Sequence, residues 1–181
     1  MDIEEIIRNR RTIHDFNREK VSEDKIHRAI QAANYAPCHR LSFPWRFISV
    51  THLKRELIGD LYIEIKSKDS MTEEIKQKIK NKILNPSHLI IASQILAPNP
   101  IQKKEDYAAC CCAIQNLTLC LAGDGIGSKW STSNLITNKE TYRILGLNPL
   151  EEEIIGFIYI GYGKTPPPIN RPSIKSIYKY I

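Results

Sequence analysis

The residues of this sequence best suited to chemistry are a short cationic segment and a proline-bounded loop. Arg10 and Arg11 precede the hydroxyl of Thr12. Guanidinium groups make forked, charge-assisted bonds to phosphate oxygens, and a hydroxyl adds another donor. The same pair also suits the end of a helix, where cations complement the C-terminal dipole. The loop Ala36-Pro37-Cys38-His39-Arg40-Leu41-Ser42-Phe43-Pro44-Trp45 carries two prolines, a tryptophan and cations. It reads either as one wall of a flat pocket or as a rigid connection into a strand. Cys38-His39 is not expected to be a thiol–imidazole pair, because catalytic partners usually come from separate parts of the chain.

Other chemistries lack their patterns. The histidines (His14, His27, His39, His52 and His88) form no H-E-x-x-H, and no cysteines stand at C-x-x-C spacing. Neither the phosphate loop G-x-x-x-x-G-K-[ST] nor the serine elbow G-x-S-x-G is present. Gly123-Asp124-Gly125-Ile126-Gly127 has dinucleotide-like glycines but follows a helix rather than a strand, so a turn is the better reading.

The elements that must position these residues follow from periodicity. Ile3, Ile6 and Ile7 give residues 2 to 9 one apolar helical face. Arg10 to Phe16 breaks that pattern as a loop. Ser22 opens a helix running to about Tyr35, with Glu23 and Asp24 in its first turn. Trp45 to Thr51 reads as a strand and residues 52 to 66 as a helix. Ser70-Met71-Thr72-Glu73 has capping-box spacing before Ile75, Ile79 and Ile83. The lysines of that helix, from Lys76 to Lys82, are expected on a solvated face with a Glu74–Lys78 pair, in preference to nucleic-acid binding. Leu89 to Leu96 is a buried strand. Glu105 to Leu121 is apolar nearly all round, a central helix that Gly123 closes as a left-handed cap. A brief extended stretch, Ile126 to Trp130, precedes a short helix, Asn138 to Leu145, closed by Gly146. Ile154 to Ile160 is the central strand. Pro166-Pro167-Pro168 then stiffens the approach to an aromatic tail that needs a docking site.

Composition sets the bounds. The 181 residues, 42% hydrophobic and 25% charged, suit one globular domain over 1–181 of α+β class. The net charge of +6 suits an anionic ligand. The acidic start lacks a secretory pattern, and the longest apolar region, Tyr107 to Ala122, falls short of the roughly 20 residues that span a bilayer. Five cysteines, with Cys110-Cys111-Cys112 consecutive, fit reduced thiols of a cytoplasmic protein.

The order of motifs resembles the FMN-dependent nitroreductases of the short, single-domain bacterial type. Arg10 to Phe16 is similar to R-R-S-x-R-x-F, and Ala36 to Trp45 to A-P-S-x-x-N-x-Q-P-W. Gly125-Ile126-Gly127-Ser128-Lys129-Trp130 is similar to G-x-G-S-x-W. Leu145 to Asn148 and Ile154 to Tyr162 are similar to L-G-[IL]-P followed by a strand and G-Y, with Arg171 beyond. The resemblance implies a three-layer sandwich, a central mixed sheet flanked by helices, that forms a homodimer with two FMN sites built from both chains. Arg10 and Thr12 would then meet phosphate and ribityl, with Arg11 between them and His14 where arginine is common. Pro37, Cys38 and His39 would border the isoalloxazine, and Trp130, Ser131 and Thr132 would add contacts. Arg171 would be a second basic group near the phosphate, and the tail from 166 to 181 would reach the partner. Leu41 and Phe43 occupy positions where the family usually has Asn and Gln, and neither side chain can hydrogen-bond to the ring. The implied activity is hydride transfer from NADH or NADPH through FMN to a small organic acceptor, a nitroaromatic or quinone, with no side chain assigned as catalytic. The competing expectation is a flavin-binding carrier or redox sensor without turnover.

Overall fold

The computed structural model describes residues 2–66 and 71–181. Its helices are α1 (Ile3–Asn9), α2 (Glu23–Asn34), α3 (His52–Lys66), α4 (Glu73–Leu84), α5 (Pro100–Gly123) and α6 (Lys139–Leu145). Its strands are β1 (Trp45–Ser49), β2 (His88–Ile95), β3 (Gly127–Ser131) and β4 (Glu152–Gly161). They form one sheet in the order β1-β2-β4-β3, every neighbouring pair antiparallel. The mixed character expected of the sheet is confined to one isolated parallel bridge, Thr12 to Ser128.

The strand sequences are apolar on both faces because helices cover both. On one face α2 and α5 pack over Ile90, Ala92, Ile158 and Ile160. On the other, residues of α3, α4 and α6 pack over Leu89, Ile91, Phe157 and Tyr159. The β2–β4 register slips between Ala92 and Ser93, leaving Ile155 as an extra residue in β4. Such a bulge reverses the alternation of faces. Ile155 therefore joins the α5 core with Ile158, while Ile154 joins the opposite core with Phe157.

Several elements differ from their sequence expectations for local reasons. Helix α5 starts five residues before Glu105, because Asn99 accepts from the amides of Ile101 and Gln102 and Pro100 occupies the first turn. Gly123 is its last helical residue rather than a left-handed cap. The C-cap is Asp124 at φ −92°, and the left-handed residue is Gly125 at φ 71°. The buried residues of α5 form a stripe through Ala109, Ala113, Leu117 and Leu121, and Tyr107 and Cys112 lie exposed. Thr72 caps α4 by accepting from the Ile75 amide, and the expected cap Ser70 lies outside the described residues. Gly146 does close α6, at φ 77°. The apolar face of α1 is open: Ile3 and Ile7 are exposed, as are Ile174, Ile177, Tyr178, Tyr180 and Ile181 of the tail. Nothing within the single chain covers either surface.

Candidate functional site

The segment Arg10–Phe16 is fixed by backbone contacts on both sides. The Ile13 amide donates to the Ser128 carbonyl at 3.1 Å, and the Asn17 amide to the Tyr162 carbonyl at 2.9 Å. Phe16 bridges Gly163. These approaches need glycine opposite. A Cβ on Gly127 would sit 2.4 Å from the Ile13 side chain, and one on Gly163 would sit 2.2 Å from the Asp15 carbonyl.

Two clefts flank this segment. The first, about 260 Å³, brings Arg10 and Arg11 against the turn Gly125–Ser128, with Gly163 and Thr165 opposite. Both arginines are half-buried, and among the described residues neither has an acidic partner within ion-pair distance. Glu5 on the rim is the one acid of its lining. The second cleft, about 420 Å³, is lined by His14, Asp15, Phe16, Lys78, Asn81 and Lys82. Lys129 stands nearby, its ammonium 5.6 Å from the Tyr159 ring centre. Burial holds its pKa below the usual lysine value, and the fields of Lys82 and Lys66 lower it further, against a smaller opposing effect from Asp15. A concave region with this excess of cations draws anions.

The α4 lysines therefore divide. Lys76, Lys78 and Lys80 pair with Glu73, Glu74 and Asp60, as expected of a solvated face. Lys82, with Lys78 beside it, nevertheless borders the His14 cleft. Helical periodicity in α4 carried no sign of this, because the cleft forms only where α4 meets the 14–16 segment. Within the motif, Lys129 is visible in the sequence, but its lysine neighbours are not.

The loop before β1 is conformationally strained. Arg40, Leu41 and Phe43 have φ of 65°, 51° and 45°, a region that costs such residues roughly 1–3 kcal/mol each and that clusters at functional sites. The Phe43 amide donates to Cys38 Sγ at 3.3 Å, Ser42 Oγ donates to Asp106 Oδ1 at 2.5 Å, and Arg40 Nε donates to Glu105 Oε2 at 3.1 Å. The His39 ring lies towards Glu105, and the Cys38 sulfur meets backbone and Ser42, so no thiol–imidazole pair forms. Pro37, His39 and Leu41 are exposed and Cys38 is half-buried.

These anchors separate the loop from the clefts. It is tied to Glu105 and Asp106 near the start of α5, whereas the arginine cleft touches Ala122 at its end. At about 1.5 Å per residue the two lie about 25 Å apart along the helix. The remaining candidates sit with the clefts or apart from both. Trp130, Ser131 and Thr132 continue from Ser128, but the Trp130 indole N–H already donates to the Ile155 carbonyl at 3.0 Å. Its ring lies over Gly156, where a Cβ would come within 2.0 Å of Nε1. Arg171 is exposed in the tail and makes no ion pair among the described residues.

A helix-sheet-helix sandwich with cationic clefts along one sheet edge defines an α+β protein with a site for a phosphorylated ligand. The chain belongs to the nitroreductase family, whose model matches residues 7–162. It is 35% identical over 173 residues, 93% of this chain and 88% of the relative, to the provisionally named NAD(P)H nitroreductase YfhC of Bacillus subtilis (strain 168). The fold matches a nitroreductase-like family protein of Bacillus cereus at TM-score 0.85 and 27% identity, covering 100% of this chain and 96% of that one. It also matches a nitroreductase from Desulfovibrio desulfuricans determined in complex with FMN, at TM-score 0.79 and 17% identity over 100% and 97% of the chains.

Proposed function

We propose that this chain is one protomer of an FMN-dependent NAD(P)H oxidoreductase whose active sites are shared between two copies. The separation of the candidate residues carries this reading. The phosphate-type cations and the strained Cys38 loop stand at opposite ends of α5, too far apart to line one flavin in a single chain. A second copy arranged head to tail brings the loop of one protomer to the clefts of the other. The uncovered apolar residues of α1 and the tail supply surface for that association.

The residues fit FMN. Arg10, Arg11 and Thr12 would hold the phosphate and ribityl, with Arg171 delivered by a tail. His14 and Lys82 line a cleft suited to the electron-rich edge of the ring. Pro37, Cys38, His39 and Leu41 would come from the partner, and Ser131 and Thr132 extend beside the same edge as backbone donors and acceptors. Trp130 acts as the pin that holds β3 to the β4 bulge. Bound FMN would supply two-electron chemistry, accepting hydride from NADH or NADPH and passing it to a nitroaromatic, quinone or similar acceptor. The Desulfovibrio relative's FMN and the NAD(P)H in the name of YfhC support the assignment. Five free thiols fit a cytoplasmic setting, and no helix among the described residues is long and apolar enough to cross a membrane. Leu41 and Phe43 favour the second reading, a flavin carrier or sensor.

The test is direct. Purified protein should be yellow, release FMN on denaturation and oxidise NAD(P)H in the presence of an acceptor. Protein that is colourless and takes up no added FMN would overturn the proposal, and flavin without NAD(P)H oxidation would favour the carrier.

A further inference from the structure

Lys129 occupies an unusual place for a lysine. It lies on the edge strand β3 opposite Tyr159, so its side chain leaves the sheet on the face covered by α3, α4 and α6. Its neighbour Ser128 bridges Thr12 beside the arginine cleft, and Lys82 borders the His14 cleft. Lys66, at the end of α3, places its ammonium 4.8 Å from the Tyr62 ring centre on the same side. Among the described residues, none of the ion pairs includes Lys66, Lys82 or Lys129. Asp15 is the one acid whose field reaches Lys129, and it offsets the burial and the two neighbouring lysines only in part. A half-buried ammonium among like charges is destabilising unless an anion arrives from outside.

We propose that Lys129 tunes the flavin electrostatically, stabilising the negative charge that the isoalloxazine gains on reduction. This rests on the FMN reading above. Hydride transfer from NAD(P)H delivers two electrons and one proton, so the reduced ring is anionic until a second proton arrives from solvent. A fixed cation near that edge favours the reduced over the oxidised cofactor, raising its reduction potential without entering the reaction.

The experiment measures FMN uptake first, then the midpoint potential of bound FMN by spectroelectrochemical titration. It compares wild type, Lys129→Met, Lys129→Gln, Lys129→Arg and, as a net-charge control, Lys139→Met on α6. The two neutral variants should lose about tenfold more affinity for reduced than for oxidised FMN, a fall of about 30 mV for a two-electron couple. Arg at 129 should stay within twofold of wild type, and Lys139→Met should not move. Potentials unchanged in flavin-loaded Lys129→Met and Lys129→Gln would overturn the tuning role while leaving the FMN reading intact. Equal falls in Lys139→Met would also overturn it, by reducing the effect to overall charge. A wild-type chain that takes up no FMN would overturn both readings.

Discussion

Thr12 and Ser128 form the isolated parallel bridge that fixes the Arg10–Phe16 segment to the edge of β3, with the Ile13 amide donating to the Ser128 carbonyl at 3.1 Å. The bridge sets Arg10 and Arg11 against the Gly125–Ser128 turn before any ligand arrives. Preorganised cations lose little freedom on binding, which is why they hold phosphate well.

Arg10→Ala should therefore weaken FMN binding by about one to two decades, the loss of one charge-assisted contact worth roughly 1.5–3 kcal/mol. Arg143→Ala, removing an exposed cation paired with Glu140 on α6, should leave the affinity unchanged. Flavin fluorescence titration of the two variants decides it, and equal affinities would remove Arg10 from the site.

Gly156→Ala should unseat Trp130. The added methyl would lie 2.0 Å from the indole Nε1, which is hydrogen-bonded to Ile155, and β4 is a central strand with no room to shift. A loss of about 1–3 kcal/mol in chemical denaturation, with altered tryptophan emission, is expected. A stability equal to wild type would show that the indole has another resting place.

Arg55 is buried without a carboxylate. Its guanidinium donates to the carbonyls of Ile83, Leu84, Pro86 and Ser87, closing the end of α4 and the turn into β2. Burial lowers its pKa from the usual arginine value, with a small opposing effect from Tyr159. Arg55→Met should leave these acceptors unsatisfied and cost about 2–4 kcal/mol. Because the same turn carries Asn85 and Pro86 of the His14 cleft, FMN affinity should fall as well. Denaturation and flavin titration together test this, and an unchanged midpoint would refute it.

Cys110 should resist alkylation in the native protein. Burial, followed by the charges of Cys111, Asp106 and Cys38, pushes its thiol up to about 12. At pH 8 only about one part in ten thousand is then thiolate, the reactive form. Mass mapping after iodoacetamide treatment should find Cys110 modified only once the chain is unfolded.

Truncation before Pro166 should lower both dimer stability and FMN affinity. The removed residues include Ile174, Ile177 and Tyr178, all exposed in the single chain, each contributing roughly 1.5–3 kcal/mol if fully buried by a partner. Sedimentation and flavin titration of the shortened chain test both effects. A tight dimer with undiminished affinity would end the idea of tail exchange.

Local order was legible in the residues themselves. The helix at 52–66 and the Asn138–Gly146 helix with its caps follow from periodicity and capping chemistry, which act within a few residues. The Arg10-Arg11-Thr12 and Gly125 to Trp130 motifs were likewise visible as strings, and so was their resemblance to one family. Tertiary structure decided what those strings could do. Only packing brings Thr12 to Ser128 and Lys82 to His14, and only the length of α5 holds the Cys38 loop about 25 Å from Arg10. The bulge at Ile155 and the positive φ of Leu41 and Phe43 run against local preference. They persist because contacts from distant segments, the Trp130 indole and the Asp106 carboxylate, hold the backbone where its own sequence would not.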